Sequence, residues 1–351
     1  MKHLLLKLLA LGLVAQALVF AFVEAFPDHY NSPNNARWRY LGQVVRGQRP
    51  IGPARLLVLG ESRVNAGLRV EHLPGAWSLA AGGSTAIEMC LGFEQFLASH
   101  PRPDTVYLSL SPRSLCTIYA YWDLAVRNGF FTPGQVRETL RLADSLDDPL
   151  LSFDVFTEQD IEAGRFGPEH LRYVPPRLRW LGFRLNYLAH YQLDIRDNHL
   201  FGAAERNRAF AREMDSLHGR RPHPGLLESC ALPNYEARFM PRFEPPPLLD
   251  HYLRRLLGRC QAEGIHLIFW PSPMNESSRP LLSPDFRSQY ATYLRQLAAD
   301  FPGCDISDSL IFYPDSLFGD PSHLNARGAD RFTREVQERF FGPAGQDEAK
   351  R

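Results

Sequence analysis

Leu56-Leu-Val-Leu-Gly60 is a short apolar run that stops at a glycine and passes at once into Glu61-Ser62-Arg63. A run this short, apolar on both alternating sets of side chains, fits a strand buried on both faces, as parallel sheets require. That constrains the fold strongly, because such a strand needs helices above and below it. One helix is legible just downstream. Ser84 or Thr85 is placed to cap a segment carrying Ile87, Leu91, Phe93, Phe96 and Leu97, with Glu88 at the capping-box position and an end near Pro101. A short strand is expected before it at Trp77–Ala80, and Thr105–Ser111 alternates and starts β-branched, as strands do. Strand, helix, strand in this order is a parallel α/β unit.

The rhythm breaks after Pro112. From about 113 to 247 the chain carries amphipathic patches but no clear strand: Thr132–Leu146, with Val136, Leu140 and Ala143 on a stripe, and Leu178–Tyr191, with Leu181, Leu185 and Leu188 on another. The second stripe reads first as a core-packing face, ahead of a membrane-surface or partner-binding one. After Pro245–Pro247 the alternation returns. Helices are expected at Leu248–Gly264, Pro284–Asp300 and Ala326–Phe340, the last capped by Asn325, with strands at Ile265–Trp270 and near Asp305–Ile306. A mostly helical insertion therefore interrupts one α/β domain, 54–342, and residues 343–351 read as a disordered tail.

At the N-terminus Lys2, His3 and Lys7 flank or interrupt an apolar run, Leu4–Phe26, that reaches the ~20 residues a spanning helix needs. Glu24 and Asp28 follow it, so the positive-inside rule leaves the rest of the chain outside the cytoplasm. Residues 1–27 are thus expected to be a single-pass anchor in the cytoplasmic membrane. The alternatives are a secretion signal cleaved near Val23-Glu24-Ala25 and a buried core helix. Residues 28–53, rich in Asn, Pro, Arg and Gly, read as a linker.

Lys plus Arg number 39 and Asp plus Glu number 39, so no overall field draws this chain to nucleic acid, and no such partner is expected. The five cysteines are widely spaced and form no C-x-x-C pair, which argues against a zinc or redox site; neither metal nor cofactor is expected. Buried thiols are the plain expectation, and in an oxidising compartment an odd count leaves at least one unpaired.

In a parallel α/β sheet ligands bind beyond the carboxyl ends of the strands. Ser62 lies just beyond the first strand. A serine hydroxyl becomes a nucleophile only with a base in hydrogen-bond reach and a carboxylate to orient that base. Gly319-Asp320-Pro321-Ser322-His323-Leu324-Asn325 stands immediately before the last helix. In a turn, this spacing lets Asp320 reach back to the His323 ring and fix its tautomer, leaving the other ring nitrogen for Ser62. Taken singly, a Gly-x-Ser is most often a turn and an Asp-x-x-His most often solvated surface; their order at the two ends of one α/β domain gives them weight. The other histidines lack this context, His251 and His266 lying in element patterns and His218 and His223 in a polar loop.

Leu59-Gly-Glu-Ser62 resembles the first block of the SGNH (GDSL-type) hydrolase superfamily, and Asp320–Asn325 resembles its last block. Ala81-Gly82-Gly83-Ser84 stands where that family places an oxyanion-hole glycine. The resemblance covers Arg55–Ser111 and Ile265–Phe340, leaving the insertion outside it. It implies a three-layer, flavodoxin-like parallel sheet with Ser62 as nucleophile, His323 as general base and Asp320 as its orienting partner. Backbone amides of Ser62 and of Gly82 or Gly83 would be the oxyanion donors. Two positions depart from the family pattern. Glu61 replaces the usual Asp, and Ser109-Leu-Ser-Pro-Arg113 stands where the family has Gly-x-Asn-Asp. Asn65, which reads first as a turn residue, and Ser111 are the candidates for the missing oxyanion side chain.

The anchor and the missing block together resemble the membrane-tethered branch of the superfamily. That branch includes alginate acetylation proteins and the D-alanyl transfer accessory protein of teichoic acid systems. The resemblance implies an extracytoplasmic serine esterase or O-acyltransferase acting on acyl esters of cell-envelope or exopolysaccharide glycans. Its partners would be an acylated glycan and a membrane-bound O-acyltransferase. The competing expectation, motivated by the missing block, is a non-catalytic scaffold that holds a polysaccharide or such an acyltransferase.

Overall fold

A computed structural model of the chain describes residues 2–25, 33–118, 121–126, 128–152, 203–222 and 227–342. Its apolar run is the strand β1, Leu56–Gly60. With β2 (Ala76–Ser78), β3 (Thr105–Ser109), β4 (His266–Phe269) and β6 (Cys304–Ile306) it forms a five-stranded sheet in the order β2-β1-β3-β4-β6. Every pairing in it is parallel. The short strands β5 (Met274–Asn275) and β7 (Phe312–Tyr313) pair separately, also in parallel.

The helices are α1 (Lys2–Ala25), α2 (Pro33–Val45), α3 (Ser62–Gly67), α4 (Ala86–Ser99), α5 (Pro112–Cys116) and α6 (Pro133–Ser145). After them come α7 (Ala203–Ser216), α8 (Tyr235–Phe239), α9 (Pro247–Ala262), α10 (Pro284–Asp300) and α11 (Ala326–Phe340). Alternation along the strands splits the core in two. Leu57, Leu59, Val106, Leu108, Leu267 and Phe269 pack with Leu41, Phe93, Leu256 and Tyr290 of α2, α4, α9 and α10. Leu56, Val58, Tyr107 and Ile268 pack with Val64, Phe332 and Val336 of α3 and α11. Helices thus cover both faces of the sheet, the arrangement that strands apolar on both sides demand.

Local signals were read where they are strong. The capping box of α4 is made by Thr85 and Glu88, and Asn325 caps α11. Residues 28–53, expected to be a linker, are corrected by α2. Trp38, Leu41, Val44 and Val45 recur at helical spacing and are buried, so the folded unit begins near 33 and not at 54. The Asn- and Arg-rich composition hid that period.

The described parts of the insertion contain helices and loops and no strand, and they are built into the core. The Ser78 N–H donates to the His218 carbonyl (2.8 Å), extending the β2 edge, and the Leu248 N–H donates to Asp148 Oδ2 (2.8 Å). The patch at 178–191 and the tail 343–351 lie outside the described residues. Nine leucine and valine side chains between Leu4 and Leu18 of α1 are 56–66 % exposed. Among the described residues no helix is long and apolar enough to cross a membrane; side chains 16, 19, 20 and 22–25 of α1 fall outside them. All five cysteines are free.

Candidate active site

Strand β1 ends at Gly60, where φ is +149° and an added Cβ would collide with the Ser109 carbonyl of β3. Only glycine fits there. The chain then turns through Glu61, in extended conformation, and Ser62 opens the six-residue α3. β2 lies on one side of β1 and β3 on the other, so Ser62 sits at the carboxyl edge where the strand order reverses and a crevice must open.

The second turn comes from the other end of the chain. Phe318 and Leu324 form an antiparallel bridge, the Gly319 N–H donates to the His323 carbonyl (2.9 Å), and the Asn325 N–H donates to that of Leu317 (2.9 Å). Asn325 locks the turn to the helix, its Oδ1 accepting from the Gly328 N–H (3.0 Å) while its Nδ2 donates to the Ser316 carbonyl (2.9 Å). Asp320 Oδ1 accepts from the backbone N–H groups of Ser322 and His323, both at 2.7 Å.

These two turns bring the expected residues together. His323 Nδ1 is 2.7 Å from Asp320 Oδ2, and His323 Nε2 is 2.8 Å from Ser62 Oγ. A carboxylate only accepts, so Nδ1 carries the proton and Nε2 accepts from the Ser62 hydroxyl. Burial would raise the Asp320 carboxyl. The hydrogen bond and charge of His323 and the two backbone N–H groups override it and hold Asp320 below the usual carboxylate range. It therefore stays ionised beside the imidazole.

Glu61 Oε2 lies 3.3 Å from Ser62 Oγ, and Glu61 Oε1 lies 3.5 Å from Arg63 Nε. Arg63 is buried, and one of its terminal nitrogens donates to both carboxylate oxygens of the fully buried Glu236 at 2.7 Å. Burial would push Arg63 down and Glu236 up; their mutual charge and hydrogen bonds win, so both remain ionised. The residue after Ser62 is thereby tied to α8 of the insertion.

A cavity of about 340 Å³ opens at Ser62 and His323 and is also lined by Gly82, Gly83, Asn65 and Ser111. A Cβ placed on Gly82 would stand 3.8 Å from the Ser62 Cβ, so that loop runs directly beside Ser62. Asn65 Nδ2 donates to the Ala80 carbonyl at 2.8 Å, tying α3 to the loop before Gly82. The Ser111 hydroxyl accepts from the Ser114 N–H (3.3 Å) and meets the Ser114 hydroxyl (3.2 Å), as the cap of α5. Asn65 and Ser111, the two expected oxyanion candidates, thus both hold structural bonds.

Four arginines line the same cavity: Arg37, Arg63, Arg113 and Arg221. Sequence reasoning missed them as site residues, along with Glu236. Arg37 lay in the segment read as a linker, and Arg113, Arg221 and Glu236 in the insertion, where no motif marks them. Arg113 stacks its guanidinium 3.8 Å above the Tyr235 ring. Among the described residues no cysteine lines this cavity, and burial pushes the Cys116 thiol of α5 up to about 12. Among the described residues no group of three His, Cys, Asp or Glu side chains could hold a metal ion.

The sequence matches no family model and has no significant match among curated proteins. What the site can do follows from its geometry: an oriented base within proton-transfer distance of a serine hydroxyl, beside a cavity large enough for a reacting group.

Proposed function

We propose that this chain is a serine esterase or O-acyltransferase of the SGNH type, anchored in the cytoplasmic membrane and acting outside it on acyl esters of cell-envelope or exopolysaccharide glycans. The observation that carries the reading is the chain Ser62 Oγ to His323 Nε2 at 2.8 Å and His323 Nδ1 to Asp320 Oδ2 at 2.7 Å, opening on a cavity. Support for the family comes from the strand order β2-β1-β3-β4-β6, which is the doubly wound, flavodoxin-like order, and from Gly82 beside Ser62. The anchor rests on the apolar run Leu4–Phe26 and on the exposed leucines of α1.

In this mechanism Ser62 Oγ forms a bond to the acyl carbon while its proton passes to His323 Nε2. Asp320 holds the resulting imidazolium. The carbonyl oxygen becomes an oxyanion, stabilised by the backbone amides of Ser62 and of Gly82 or Gly83, where each donor contributes about 3 kcal/mol. The C–O bond to the sugar breaks, and the leaving oxygen takes the proton from His323. Water or a second sugar hydroxyl then attacks the acyl-serine with His323 as base, giving hydrolysis or transfer.

The test is labelling of the full-length protein in detergent with a fluorophosphonate, together with hydrolysis of p-nitrophenyl acetate, for the native chain and for Ser62→Ala. Label and turnover confined to the native chain are expected. A folded native protein that neither labels nor turns over would instead fit a scaffold holding a glycan or a membrane-bound O-acyltransferase.

A further inference from the structure

The Ser62 hydroxyl has one proton and two acceptors within reach of it. His323 Nε2 stands at 2.8 Å and Glu61 Oε2 at 3.3 Å. Only the first serves ester chemistry, because the His323 ring is oriented by Asp320 and can pass the proton on to a leaving oxygen. A hydroxyl that donates to Glu61 instead is turned away from its base.

The Glu61 carboxylate is not there to cap a helix. It occupies the N-cap position of α3, yet its side chain makes no capping bond. Glu61 is buried, and its two oxygens face two groups: Oε2 the Ser62 hydroxyl, and Oε1 the Arg63 Nε at 3.5 Å. Oε1 accepts no hydrogen bond, so the charge of Arg63 is what draws this carboxylate away from Ser62. Arg63 is itself fixed from behind. Its terminal nitrogen donates to both oxygens of Glu236, and Glu236 Oε1 also accepts from the Arg113 N–H at the start of α5 (3.3 Å). Glu61, Arg63 and Glu236 are all buried. Buried ionic groups are a weak source of net stability, and their better-attested use is to select one arrangement over its competitors.

We propose that Arg63, held by Glu236 of the insertion, is a positioning residue that keeps the Glu61 carboxylate off the Ser62 proton and so directs that proton to His323. The inference rests on the ester-chemistry reading for the use made of the proton, but not for where the proton points. No covalent bond changes in this step: the proton stays on Ser62 Oγ and only its acceptor differs. Through α8 the insertion thus sets which of two hydrogen bonds Ser62 makes.

The experiment is a cycle of variants of the full-length protein in detergent micelles, with melting curves recorded for each. Arg63→Lys keeps a charge for Glu236, but a single ammonium cannot also hold Glu61; Arg63→Met/Glu236→Gln removes the buried pair altogether. Each is made with Glu61 present and in a Glu61→Ala background. With Glu61 present, fluorophosphonate labelling and kcat on p-nitrophenyl acetate are expected to fall at least tenfold, with KM within threefold. In the Glu61→Ala background the same changes should cost less than threefold. In ¹⁵N spectra of histidine-labelled protein, the His323 Nε2 signal should move toward its position in Ser62→Ala when Arg63 is changed, and return when Glu61→Ala is added. If Arg63→Met/Glu236→Gln does not fold, Arg63→Lys decides. No loss on changing Arg63, or a loss equally large without Glu61, overturns the inference, since a merely structural role would not depend on Glu61. A native protein that takes no label but shows the ¹⁵N shifts would sink the esterase reading alone; labelling with a loss independent of Glu61 would sink the positioning role alone.

Discussion

The two walls of the cavity are built by different means. The Ser62–His323 wall comes from two turns whose main bonds are local: Asp320 is bound by the N–H groups of Ser322 and His323, and Ser62 follows Gly60 at the end of β1. The cationic wall is assembled from afar. Arg63 meets Glu236 across 173 positions, and Arg37 meets the Gly219 carbonyl across 182. Both walls therefore draw on the insertion, the first through bonds from Leu227 and to the Glu228 carbonyl at the Gly319–Asn325 turn, the second through buried side-chain charge.

The sharpest break would come at the Ser62–His323 wall. Ser62→Ala is expected to lower acyl-ester turnover on the order of 10⁶-fold with the urea midpoint close to native, and Asp320→Asn about 10⁴-fold with a midpoint lowered in the direction that acid lowers it. Turnover that survives Ser62→Ala would remove the basis for treating this wall as catalytic.

At the cationic wall the expected effect is on stability. Glu236→Ala leaves Arg63 buried without its carboxylate, which should cost about 3–5 kcal/mol by chemical denaturation. A loss under about 1 kcal/mol would mean that the insertion does not hold the floor of the site.

Acid should weaken both walls. Asp320 and Glu236 are each held below their ordinary values, so their stabilisation is complete above the unfolded carboxylate range and is lost as pH falls through the depressed folded values. Urea midpoints should be flat with respect to these groups between about pH 5 and 7 and drop below about pH 4. A midpoint that rises on acidification in that lower range would contradict the sign.

The smallest effect belongs to a position remote from both walls. Thr132 makes a solvent-exposed capping box with Gln135 at the start of α6, and Thr132→Ala should cost about 1 kcal/mol while leaving turnover unchanged. A large loss of activity there would show that the insertion transmits strain to the site.

Legibility followed the same division. α10 and α11 begin and end where their caps and apolar spacing put them, because those signals act within a few residues. α2 was hidden because its polar composition masks a period that becomes useful only when Trp38 and Leu41 find the sheet layer. Glu236 carried no local mark at all, since its role depends on a partner brought close by folding. Asn65, which reads first as a turn residue and second as an oxyanion candidate, lines the cavity and holds the Ala80 carbonyl, a contact between segments that no spacing rule encodes.

By itself the sequence determined the strand-to-serine turn, the Asp-x-x-His turn and their place at the carboxyl edge of a parallel sheet, because backbone preference and hydrogen bonds between near neighbours set them. Only the tertiary structure decided which charges share the cavity, that Ser62 and His323 stand 2.8 Å apart, and that a buried arginine faces the space beside them. Burial and long-range pairing are properties of the packed chain, and desolvation gives a charge its meaning only once the protein has closed around it.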